Sequence, residues 1–211
     1  MPHAHPLVYL ARHGETAWSR TGQHTGLTDL PLTEQGRAEA CELGLRLREL
    51  SFARVLVSPL VRAKETCEIA GLGTRAEIEP DLVEWNYGDY EGKRTAEIRA
   101  GRADWQLFRD GCPGGESVAE ISARADRLIA KVRTMNENVI LFSSGHISRV
   151  IAARWLGLDA SAGRYFFLST ASLSTLGYEH DQSEPVIRLW NDSWQATPPA
   201  NGPGVPPAQP N

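Results

Sequence analysis

Residues 7–16 read Leu7-Val8-Tyr9-Leu10-Ala11-Arg12-His13-Gly14-Glu15-Thr16. The apolar run that opens this stretch is the length of a buried strand, and the glycine behind it marks a turn. Arg12 and His13 are therefore delivered at the end of a strand into a glycine turn. Arginine is a permanent planar cation matched to phosphate oxygens. An unprotonated imidazole is a competent nucleophile near neutral pH. Gly14 lets backbone and ligand approach closely. The pair points to phosphoryl transfer through a phosphohistidine.

Strands and helices alternate outward from this segment. Arg54-Val55-Leu56-Val57 and Val139-Ile140-Leu141-Phe142 read as two further buried strands, and residues 173–178 and 186–190 as late ones. Thr33 is placed to cap a helix running to about Leu50, with Ala40, Leu43, Leu47 and Leu50 on one stripe. A second helix runs through Arg62, Thr66 and Ile69 to Gly71. Ser117-Val118-Ala119-Glu120 is a capping-box pattern that opens a third, with Ile121, Ala125, Leu128 and Val132 on one face. A fourth runs from about Ile147 to Gly157. This order predicts an α/β fold, a three-layer α/β/α sandwich around a mostly parallel sheet. Active residues at strand ends then meet along one edge.

Composition narrows the function. The 211 residues are 41% hydrophobic, which suits one soluble domain, read here as residues 1–194. Residues 85–115 form an aromatic, glycine-rich insertion whose Trp85 and Trp105 would pack a small subdomain; because it follows Glu84 directly, the insertion is also placed to wall one side of a pocket. Residues 195–211 are rich in proline and glycine and read as a disordered tail. The net charge of −4 gives no general attraction to nucleic acid or anionic membrane, so an anionic substrate needs a local cationic pocket. Three cysteines without paired metal-ligand spacing suggest reduced thiols and a cytoplasmic location, with Cys41 and Cys67 as small buried hydrophobes. His3 and His5 read as solvated. No metal cluster is recognisable, and no cofactor is expected.

Five blocks in order resemble the histidine phosphatase superfamily, also called phosphoglycerate mutase-like. They are residues 10–36, Ser58-Pro59-Leu60-Val61-Arg62-Ala63, Glu84 to Gly92, Trp105 to Ser117, and Phe142 to His146. The third block and Arg109-Asp110-Gly111-Cys112 are most similar to its acid- and sugar-phosphatase members, such as sedoheptulose bisphosphatase. The resemblance implies His13 as nucleophile, Arg12 and Arg62 as holders of the phosphoryl oxygens, and Glu84 as the acid that protonates the departing alkoxide. It also implies Ser19, Thr25 and Gly26 as contacts to phosphate, with a backbone amide from Gly26. Tyr87 and His24 would meet the rest of a small phosphorylated substrate. Many relatives are dimers, which leaves a homodimer open.

One position departs from the family. Its members carry a second catalytic histidine after the late strand, with an arginine often five residues on. Counting back from Arg149 reaches Ser144, followed by Gly145 and His146. A serine brings a hydroxyl and no positive charge. His146 is then a candidate to swing in as a substitute, with Ser144 and Gly145 still beside the substrate. Phosphomonoester hydrolysis is the leading reading. The alternatives are a cofactor-dependent phosphoglycerate mutase and a phosphate-binding protein impaired by Ser144. The mutases follow their acid with Arg-His-Tyr-Gly, whereas Glu84 is followed here by Trp85-Asn86-Tyr87.

Overall fold

In the computed structural model, which describes residues 5–193, the opening apolar run forms strand β1 (Val8–Arg12). After it come helices α1 (Ala17–Thr21) and α2 (Glu34–Leu47), then β2 (Arg54–Val57), α3 (Val61–Ile69) and β3 (Ala76–Ile78). The insertion contributes the short helices α4 (Thr95–Gly101) and α5 (Leu107–Asp110). The chain returns through α6 (Val118–Met135), β4 (Val139–Ser143), α7 (Gly145–Trp155), β5 (Leu173–Tyr178) and β6 (Pro185–Asp192). The expected tail, residues 195–211, and His3 lie outside the described residues.

The six strands form one sheet in the order β3-β2-β4-β1-β5-β6. The first four are parallel, and β5 and β6 are antiparallel additions. Strand parity builds the three layers, because successive side chains point to opposite faces. Val8 and Leu10 face a core shared with α6, α7 and the tryptophans of the insertion. Tyr9 and Ala11 face the opposite core, shared with α2 and α3. Both faces are thus covered, as the near-continuous apolar runs of β1 and β4 require.

The helix signals act as read. Thr33 accepts a hydrogen bond from the Gly36 amide, and Ser117 and Glu120 cap α6 reciprocally. The α2 stripe buries Ala40, Leu43 and Leu47, which turns Cys41 outward. Cys41 is exposed, against expectation, because it stands one residue off that stripe; Cys67 is buried. His5 is tied down, with Nε2 3.0 Å from the His180 carbonyl. Among the described residues no helix is long and apolar enough to cross a membrane.

Strand β1 ends at Arg12 beside the end of β4, in the pairing Arg12–Ser143. Both chains then leave the sheet at the same edge, His13 into a loop and Ser144 into α7. Arg62 enters from the first turn of α3, just after β2 ends at the same edge. Parallel pairing of β1, β2 and β4 is what brings residues 12, 62 and 144 together from distant parts of the chain.

Candidate active site

His13 is held from three directions. Its amide donates to the Ser143 carbonyl at 2.9 Å, and its carbonyl accepts from Ala171 at 3.0 Å. Its ring Nδ1 lies 2.7 Å from the Gly14 carbonyl. A carbonyl accepts only, so Nδ1 carries the proton and Nε2 keeps its lone pair. Burial first, then the positive charges of Arg62 and Arg12, holds the His13 pKa well below the ordinary 6.5. The ring is therefore neutral and oriented at neutral pH. Gly14 could carry no side chain, because a Cβ there would run into the Gly36 backbone.

The two arginines are placed differently. Arg12 borders the cavity and donates from Nη1 to the Leu168 carbonyl at 2.5 Å. Its Nε is buried without a partner. Arg62 is fully buried and does not line the cavity. It binds the carbonyls of Thr28, Thr25 and Gly26 at 3.0, 3.1 and 2.8 Å, and so anchors that loop. Its Nε is also unpartnered. Thr66 ties the Arg62 turn to the nucleophile loop, donating to the Arg62 carbonyl and accepting from the Gly14 amide.

Glu84 comes from the loop after β3, and its carboxylate sits on the start of α7. Oε1 accepts from the Ile147 and Trp85 amides and Oε2 from the His146 amide, each at 2.9 Å. A helix start leaves amides unpaired, and the Glu84 oxygens supply acceptors for two of them. Glu84 also borders the cavity with His13.

The opposite wall carries Tyr87, His24 and His146, with Arg149 beside them. Tyr87 Oη lies 2.5 Å from His146 Nδ1, and the rings of His24 and Tyr87 are 4.8 Å apart. Burial lowers the His24 pKa to about 4. The His146 pKa is held well below 6.5, by burial first and then by Arg149, His24 and Arg12. Burial beside two arginines thus works against an imidazolium at His146. Trp85 and Trp105 are buried, while Tyr87 and Thr95 face the cavity.

Three sequence-derived contacts fall outside the cavity: Arg62, Gly26 and Ser144. The Gly26 amide is already donated to Glu91 at 2.8 Å and cannot serve a phosphate. Ser144 is fully buried with an unpartnered hydroxyl. Ser19 does line the cavity, but its hydroxyl donates to the Thr16 carbonyl at 3.1 Å and accepts from the Thr16 amide within the α1 cap. Thr25 lines it too, with its hydroxyl 3.3 Å from the Gln23 carbonyl, and Gly145 completes the floor near Arg12.

Sequence reading missed Gln23, Thr95, Leu168 and above all Arg149, which border the cavity. Arg149 stacks on Phe108 at 4.6 Å and is held by the carbonyls of Gly163 and Arg164. Helical spacing was the available signal, since Arg149 stands four residues after Gly145 and three after His146. The cavity measures about 260 Å³. That is below the roughly 300–1,000 Å³ of sites for drug-sized ligands, and it suits a small metabolite.

The family model for the histidine phosphatase superfamily (branch 1) matches residues 8–193. An acid phosphatase of Mycobacterium tuberculosis is 44% identical over 177 residues, covering 82% of this chain and 87% of the relative. The sedoheptulose 1,7-bisphosphatase of Saccharomyces cerevisiae is 34% identical over 190 residues, covering 75% and 70%. An Erwinia tasmaniensis protein named "Probable phosphoglycerate mutase GpmB" is 32% identical, covering 87% and 89%. Among solved structures, a Mycobacterium tuberculosis open-reading-frame product superposes with a TM-score of 0.85 at 38% identity, over 89% of this chain and 98% of that one. The α-ribazole phosphatase of Shigella flexneri gives 0.77 at 26% identity, over 88% and 96%.

Proposed function

The chain belongs to the histidine phosphatase superfamily, and from that premise we propose that it hydrolyses small phosphomonoesters through a phosphohistidine on His13. The observation that carries the reading is the Nδ1–Gly14 hydrogen bond beside two arginines. It supports a neutral ring with its Nε2 lone pair free. In the first step a P–N bond forms at Nε2 as the ester P–O bond breaks. The leaving alkoxide takes a proton from Glu84. In the second step water attacks phosphorus, its proton goes to Glu84, and the P–N bond breaks to release phosphate. Arg12 borders the cavity where the phosphoryl oxygens would sit, and the buried Arg62 charge acts on His13, so the spreading charge of a loose transition state would meet fixed cations.

The substrate class follows from the other wall. His24, Tyr87 and His146 offer hydrogen bonds and Arg149 adds a positive charge beside them, which suits the hydroxyl groups of an anionic sugar phosphate or similar metabolite. The name of the yeast relative supports the same class. Phosphate release from a panel of metabolite phosphates tests this. Isomerised phosphoglycerate without phosphate release would favour the mutase reading instead.

Every role above falls to a protein side chain, so the proposal includes metal independence. Activity is expected to survive exhaustive chelation. Loss on chelation with recovery on adding a divalent ion would overturn this part.

Ser144 favours slow hydrolysis as a second reading. It is neutral, and His146 is occupied by Tyr87. Removing one preorganised donor from a comparable site costs roughly 10²–10³ in rate. Ser144 is itself buried outside the cavity, so the gain rests on the longer histidine side chain reaching it: Ser144→His is expected to raise steady-state kcat about ten-fold. An unchanged or lowered kcat in a folded variant would mean that the phosphoryl group gains no donor from this position.

A further inference from the structure

The Gly115-Glu116-Ser117 block has no part in the chemistry above, yet its glutamate pairs with an arginine directly behind Glu84. The Arg124 guanidinium uses all of its donor positions on one short segment and one carboxylate. Nη1 donates to the carbonyls of Asp81 and Val83 at 2.8 and 2.6 Å. Nε and Nη2 bind the two oxygens of Glu116, each at 2.8 Å, and Nη2 also reaches the Glu84 carbonyl at 3.4 Å. Glu116 grips the segment from its other end. Its amide donates to the Asn86 carbonyl at 2.8 Å, and its carbonyl accepts from Trp85 Nε1 at 2.7 Å. Its Oε2 also accepts from the Asn86 amide at 3.3 Å.

The pair is well shielded, with side-chain exposures of 12% for Arg124 and 15% for Glu116. A forked, shielded pair of this kind fixes geometry better than a surface ion pair. Its bonds converge on residues 81–86, the segment that carries Glu84. The Glu84 carboxylate is held from the opposite side by the first amides of α7. Backbone and carboxylate of one residue are thus fixed by two different helices, α6 and α7.

We infer that Glu116 and Arg124 are positioning residues for Glu84, setting where its carboxyl meets the leaving oxygen. This rests on the reading of Glu84 as the acid. A misplacement of about 1 Å in such a group can cost on the order of 10²-fold in rate. Arg124→Met is expected to lower kcat/KM about 10- to 100-fold on alkyl phosphates. On p-nitrophenyl phosphate, whose leaving group needs little protonation, the loss should stay within about three-fold. The inhibition constant of inorganic phosphate should not change, since Arg12, His13 and Arg62 are untouched.

Glu116→Gln keeps the shape and some of the hydrogen bonds, so it should give a smaller loss with the same substrate dependence. It carries the test if Arg124→Met fails to fold. Glu84→Gln, measured in parallel, separates the two ideas. If Glu84→Gln discriminates between leaving groups and the folded clamp variants do not, the clamp is structural only and the inference falls. If Glu84→Gln itself fails to discriminate, the acid assignment fails first.

Discussion

His13→Ala is expected to abolish the covalent intermediate and to cut turnover at least about 10³-fold, because no other group is set up as the nucleophile. The hydroxyls of Ser19 and Thr66 are committed elsewhere, to the α1 cap and the Gly14 amide, and Ser144 is buried outside the cavity. Mass spectrometry after a neutral or alkaline quench should find phosphate on His13 in the unaltered protein and none in the variant. An adduct on Ser144 with activity retained would contradict the assignment. The pH dependence gives an independent check. Protonation removes the Nε2 lone pair, so activity falls as pH drops through the His13 pKa. That pKa is held well below 6.5 by burial and the two arginines. The acid limb of kcat/KM, which reports the free enzyme, should therefore lie well below 6.5. A limb at or above 6.5 would mean that burial and the arginines do not hold the ring neutral.

Much of this site was legible because its residues sit at strand ends. Val8–Arg12 and Val139–Ser143 are apolar runs bounded by glycine or serine, and their parallel pairing brings His13, Arg12 and the α7 start to one edge. The capping residues Thr33 and Ser117 were legible for a local reason, since the cap and its amide are three residues apart. Strand β3 escaped because it is three residues long and lies at the sheet edge. Its Ile78 is 54% exposed, so no apolar pattern marks it. Gly26 and Ser19 show a different limit. Both have the groups a phosphate site wants, but Glu91, 65 residues away in sequence, takes the Gly26 amide, and Thr16 takes the Ser19 proton. Competition of that kind depends on the folded arrangement. Arg149 depended on it too, because its aim is set by Phe108 from the insertion and by the carbonyls of residues 163 and 164.

Glu84→Gln is expected to lower kcat/KM by about 10²–10³ on alkyl phosphates and by less than about ten-fold on aryl phosphates. An alkoxide is a poor leaving group and needs the proton as the bond breaks; a phenolate departs largely without it. The structural side of the substitution has to be separated from the chemical one. Three amides point at the Glu84 oxygens, from Trp85, His146 and Ile147. A glutamine can accept with one oxygen only, and its NH₂ group would face at least one of these donors. Leaving such a donor unpaired costs roughly 1–3 kcal/mol of stability. That cost lowers the unfolding midpoint and affects every substrate alike. Loss of the proton affects substrates in order of leaving-group pKa. A series of phosphomonoesters spanning that range should therefore show a steeper dependence in Glu84→Gln than in the unaltered protein, with a common offset for any disturbance of α7. Parallel lines separated only by the offset would reduce Glu84 to an anchor for the start of α7 and remove it from the chemistry.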